Sequence, residues 1–123
     1  MIGVMSTDNS NMQPAVVSFR PRLDALEKTI RRLASDSRNV RWRSVSYESH
    51  CESRMDFRDI TDRMMFDVLR TGYLKGDIEP GRNPGEWKAK MAKQMKGARE
   101  VGVVTIVINQ ERLFIKTVEW EDL

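Results

Sequence analysis

The chain has a single histidine, and it stands in a row with two arginines. In His50-Cys51-Glu52-Ser53-Arg54-Met55-Asp56-Phe57-Arg58-Asp59-Ile60, Arg54 follows His50 by four residues and Arg58 follows by four more. On a helix this spacing aligns the three side chains along one face. An imidazole exchanges protons near neutral pH. A guanidinium stays charged and matches the oxygens of a phosphate. Together these groups suit cleavage of an RNA phosphodiester by internal attack of a ribose 2′-hydroxyl. The histidine would move protons, and the arginines would stabilise the crowded, doubly charged phosphate. The same row also arises on a solvated helix face paired with Glu48, Glu52 or Asp56, and spacing alone does not separate the two. Cys51 falls on a different helical face from His50 and reads as a small packed residue rather than a nucleophile.

Basic residues gather in two clusters. Arg20 to Arg43 holds eight basic and three acidic residues, and Arg82 to Arg99 holds six and one. Facing one side of a fold, the two would make a track for a nucleic-acid backbone; facing apart, they would be two solvated surfaces. Lys88 and Lys90 lie in the second cluster beside Trp87, whose ring suits either stacking on a base or anchoring the edge of a core. Other chemistries find no footing. One cysteine and one histidine exclude an intramolecular disulfide and a Cys/His zinc site within one chain, so no metal or other cofactor is expected. Gly81 and Gly85 sit in a proline-rich turn, not in a phosphate loop ending Lys-Ser/Thr. No carboxylate pair stands out among the 18 acidic residues.

With 123 residues, 40% hydrophobic and 32% charged, the composition is that of an ordinary soluble globular domain. The net charge of +3 permits an anionic partner. Residues 1–18, polar and without periodicity, read as a flexible tail, and residues 19–123 as a single domain. The longest apolar run, Val101 to Ile108, is strand-sized, so no membrane association is expected. No secretory leader is visible, and a lone cysteine fits a reducing cytoplasm.

The elements that must position these residues follow from periodicity. Leu23, Leu26, Ile30 and Leu33 share one face of a helix starting at Pro21. Trp42 to Tyr47 alternates weakly as a strand, and Glu48 to Phe57 reads as a helix. A further helix starts behind Thr61 as N-cap, carries Met65, Val68 and Leu69, and ends at Gly72. Tyr73 to Ile78 reads as a strand and Glu79 to Gly85 as a loop. Trp87, Ala89 and Met91 alternate with Lys88 and Lys90, predicting a strand with one basic face, although Ala89 to Met95 also suits a helix. Val101 to Asn109 and Leu113 to Trp120 form a hairpin. The expected fold is α+β: N-terminal helices packed on a C-terminal, mostly antiparallel sheet of three to four strands.

His50-x-x-x-Arg54-Met55-x-x-Arg58-x-Ile60, the helix ending at Gly72, Gly85-Glu86-Trp87 before a strand and a hairpin closing in Lys116-Thr117-Val118 resemble a family of small bacterial domains. Its usual pattern is His-Ala-x-x-Arg-Met-x-x-Arg-x-Ile, followed by a strand pair closing in Thr-Val. The similarity covers about residues 47–120, and members look like relatives of the RelE and BrnT ribonuclease toxins. The resemblance implies a RelE/BrnT-like fold, RNA cleavage without a metal, and silencing by a cognate antitoxin. It places His50, Arg54 and Arg58 at the reaction and matches Thr117 to the threonine of the last strand. Two positions depart from the pattern: Cys51 replaces alanine, and Asp59 stands where glycine is common. The helix at 22–34 lies outside the resemblance. The chain therefore reads as a toxin-like, metal-independent endoribonuclease, with RNA held by Lys88, Lys90, Trp87 and Thr117. The alternative is a non-catalytic protein- or nucleic-acid-binding module, regulatory or phage-encoded.

Overall fold

Leucine and isoleucine at helical spacing do bury one stripe of α1 (Leu23–Ala34): Leu26, Ile30, Leu33 and Ala34 are all in the core. The computed structural model describes residues 20–42, 59–95 and 97–122. Outside the described residues lie the tail at 1–18, residues 43–47 of the strand expected from Trp42 to Tyr47, and the helix expected from Glu48 to Phe57. His50, Cys51, Arg54 and Arg58 fall there too. The α1 helix starts two residues later than predicted. Arg22 is its extended N-cap, Pro21 precedes it, and Leu23 is exposed. A short 3-10 turn at Ser37–Asn39 then leads into β1 (Val40–Arg41).

The second helix, α2 (Asp62–Thr71), begins as its sequence predicts, with the Thr61 side chain accepting a hydrogen bond from the Met64 N–H at 3.2 Å. Just before it, Asp59 adopts the left-handed conformation, φ 59°, which aspartate tolerates better than most side chains. The helix ends at Gly72, but not through a left-handed turn: φ is −81° and ψ −170°. Glycine is needed there for another reason. A Cβ would lie 2.5 Å from the carbonyl oxygens of both Val68 and Ala92. The two helices also cap each other. The Arg31 guanidinium donates to the Gly72 carbonyl, and Arg70 Nε donates to the Ala34 carbonyl at 2.7 Å. These bonds satisfy carbonyls that a helix end leaves without an internal partner.

The strands β2 (Tyr73–Pro80), β3 (Glu86–Gln94), β4 (Glu100–Ile108) and β5 (Arg112–Trp120) form antiparallel neighbours, and β1 adds to β5 in parallel. Among the described residues the order is β1-β5-β4-β3-β2, five strands where the sequence predicts three to four. The fold is α+β: among the described residues, two helices pack on one face of a mixed, mostly antiparallel sheet. Strand β2 runs into the expected loop, with Glu79 paired to Lys88 and Pro80 to Trp87. Proline is tolerated because β2 is an edge strand, where a missing N–H breaks no ladder. Alternation overrides helix propensity in β3: Trp87, Ala89 and Met91 are buried, while Lys88 and Lys90 point the other way.

The register shifts between Val104, paired with Thr117, and Thr105, paired with Ile115, so Lys116 is an extra residue in β5. This bulge resets the alternation, so that Leu113 and Ile115 before it and Val118 and Trp120 after it are all buried. Buried Thr105 satisfies its hydroxyl by donating to the Phe114 carbonyl at 3.2 Å.

Candidate nucleic-acid interface

The sheet face turned away from α1 and α2 carries the other half of each alternation. Following the pairings from strand to strand, Glu79, Lys88, Ile106, Phe114 and Arg41 stand directly opposite one another in a single row across all five strands. Four strands separate Lys88 from Arg41 inclusive, so their backbones lie about 14 Å apart. The next row along places Arg112 opposite Ile108, and Ile108 opposite Glu86. Around these rows lies a groove of about 580 Å³, with Arg41, Arg82, Lys88 and Lys116 at its margins and Ile106 and Phe114 on its floor. A second hollow of about 660 Å³ adjoins it at the β1 edge, shares Arg41, Ile108 and Phe114, and adds Arg38, Trp42 and Arg112. Phe114, Ile106 and Ile108 are half-buried. Among the described residues none of the three belongs to the core or packs against it.

The rim is fixed by one backbone bond between the two hairpins and one within the β2–β3 hairpin. The Asn109 N–H donates to the Gly85 carbonyl at 3.0 Å, and the Gly81 N–H donates to the Glu86 carbonyl at 2.7 Å. The Asn83 side chain donates to the Glu86 carboxylate at 3.0 Å and holds its pKa below the ordinary carboxylate range.

Charge divides this face into two unlike halves. At one end Lys90 lies 3.1 Å from Glu121 and 3.3 Å from Glu119, and Lys75 lies 2.8 Å from Glu100 and 3.1 Å from Glu121. Gly102 makes room for this network, since a Cβ there would collide with the Glu121 carboxylate. Burial opposes the charge on Lys90, but the Glu121 and Glu119 carboxylates outweigh it and hold its pKa above the ordinary lysine range. The Glu100 and Glu121 carboxylates likewise raise that of Lys75, and Lys75 in turn lowers that of Glu100. At the other end the cations are freer. Lys88 faces Glu79 at 3.3 Å, both well exposed. Arg41, Arg112 and Lys116 have no carboxylate partner among the described residues, while the charge of Arg82 helps to hold the Glu86 pKa down.

The structure thus separates the residues expected to hold RNA. Lys88 lines the groove, while Lys90 is engaged by its two carboxylates. Trp87 faces the helices, is 8% exposed, and has the Arg20 guanidinium over its ring at 5.9 Å. Phe114, not Trp87, is the ring that lines the groove. Thr117 lies opposite Val104 beside the charge network, and its buried Oγ1 has no hydrogen-bond partner among the described residues.

Of the described residues of the Arg20–Arg43 cluster, Arg38 and Arg41 reach this surface, and Arg38 is already paired with Asp36 at 2.9 Å. Arg31 and Arg32 are spent on the carbonyls of Gly72 and Gln110. Charge clustering does not single out Arg112, Phe114 and Lys116, although their every-other-residue spacing in β5 is the signal that places them together.

No protein-family model, no curated protein and no solved structure matches this chain. No helix among the described residues is long and apolar enough to cross a membrane.

Proposed function

We propose that this protein binds RNA on the open face of its sheet and is a toxin-like, metal-independent endoribonuclease or a relative of one. The observation that carries the binding half is the gathering of Arg41, Arg82, Lys88 and Lys116 around the groove and of Arg112 in the hollow beside it, most of them without a carboxylate partner among the described residues. Arginine and lysine side chains so placed take up backbone phosphates, and that attraction is independent of sequence. The catalytic half rests on the chemistry of His50, Arg54 and Arg58 and on their resemblance to the toxin-like pattern. In this reading His50 is the general acid/base, and Arg54 and Arg58 stabilise the phosphate. The chain also suits such a pairing of roles, because Trp42, which lines the hollow adjoining the groove, precedes His50 by only eight residues. A cognate antitoxin is the protein partner this reading implies.

Salt dependence tests the binding half. A protein that neutralises Z phosphates of a single strand shows a log–log salt slope near −0.7Z. Replacing both Arg41 and Lys116 with glutamine should flatten the slope of oligouridylate binding by about 1.4, or about 0.7 for each phosphate no longer neutralised. Titration by fluorescence anisotropy over a range of salt concentrations measures this directly. An unchanged slope in the folded double variant would place the phosphates elsewhere.

A further inference from the structure

Resting on that reading, we propose that the groove is a subsite for one unpaired nucleotide, with its base laid on Phe114 and Ile106 and its backbone confined to the β1–β5 margin. Two observations orient the strand. The first is the order of side chains along the cross-strand row: cation at Arg41, ring at Phe114, aliphatic surface at Ile106, then Lys88 and Glu79. A flat apolar floor about two strands wide, with a cation on its flank, matches a base attached to its own phosphate.

The second is the uneven distribution of carboxylates. On the β2–β3 side, Glu79 sits 3.3 Å from Lys88, and Glu86 is held ionised by Asn83. There Glu79 and Glu86 offset the charges of Lys88 and Arg82, so a phosphate meets no net positive charge. On the β1–β5 side, Arg41, Arg112 and Lys116 have no carboxylate partner among the described residues. The backbone therefore follows Arg41, Arg112 and Lys116, and the base points across Phe114 toward the Lys88–Glu79 pair. That pair offers the base edge one donor and one acceptor. A base stacked in a duplex cannot reach this floor, so the substrate class is single-stranded RNA or an unpaired loop.

The test compares three probes: oligouridylate, a fully paired RNA duplex and inorganic polyphosphate, which has charge but no bases. Phe114→Leu keeps most of the side-chain volume and removes the aromatic face. It should weaken oligouridylate binding by about fivefold or more, the scale of one base–aromatic stack. Polyphosphate affinity and the salt slope for oligouridylate should stay the same. Wild-type protein should also prefer oligouridylate to the duplex. Equal loss for oligouridylate and polyphosphate, no loss for either, or a preference for duplex would each overturn the base platform while leaving RNA binding intact. Failure of the wild-type protein to bind any of the three at low salt would instead overturn the proposed function itself.

Discussion

Replacing His50 with alanine is expected to slow RNA cleavage by about 10²–10⁴-fold while leaving RNA affinity nearly unchanged. The expectation follows from the division of labour above. The cations around the groove supply attraction that no single neutral substitution removes. Proton transfer near neutral pH, by contrast, falls to the chain's only imidazole. Attack by a 2′-hydroxyl requires a base, and departure of the 5′-oxygen requires an acid. The neutral imidazole takes the 2′-hydroxyl proton and the imidazolium so formed gives a proton to the 5′-oxygen, so cleavage should rise with pH to a plateau through a single apparent pKa and lose that dependence in the variant. The measurement is single-turnover cleavage of a labelled RNA with chelator present, beside a circular-dichroism spectrum showing that the variant is folded. Cleavage at the wild-type rate by folded His50→Ala protein would remove the catalytic role.

The substitution expected to damage the fold most is Gly72→Ala. Its Cβ would lie 2.5 Å from two carbonyl oxygens, one in α2 and the other in β3. Both are backbone atoms, so relief requires moving the helix away from the sheet, not turning a side chain. The same carbonyl region anchors Arg31 from α1, so the shift would also disturb the mutual capping of the two helices. Overpacking of this kind costs about 3 kcal/mol. At roughly 4 °C per kcal/mol for a domain of this size, the melting temperature should fall by about 12 °C. Gly102→Ala provides the contrast. There the new Cβ meets the end of the Glu121 side chain, which can swing aside, so the loss should be well under half as large. Comparable melting temperatures for wild type and Gly72→Ala would show that the layers tolerate a separation this packing forbids.

Much of the architecture is legible in the sequence because the informative interactions are local. The helical spacing of Leu26, Ile30 and Leu33, the cap at Thr61 and the alternation of Trp87, Ala89 and Met91 with lysines each report a face of one element. What escapes depends on distant partners. The two-residue strand Val40–Arg41 has no periodicity of its own and exists by pairing with Leu113 and Phe114, more than 70 positions away. Lys88 and Lys90 look equivalent in sequence. They differ because Glu119 and Glu121 reach Lys90, whereas among the described residues Lys88 meets only exposed Glu79. The bulge at Lys116 is likewise a property of the β4–β5 pair, and it decides which residues of β5 face outward. Charge clustering along the chain therefore overstates the basic track: most of the described cations in it neutralise neighbours, and the groove keeps Arg41, Arg82 and Lys88 of them.

The most direct measurement of where RNA lies is photo-crosslinking of a 4-thiouridine-substituted single strand, with the adducts located by mass spectrometry. Adducts are predicted on the outward side of β4 and β5, at Ile106, Phe114 and Lys116, and around Arg41. Adducts confined to the exposed helical side, at residues such as Lys28 and Arg63, would contradict the placement of RNA on the open face of the sheet.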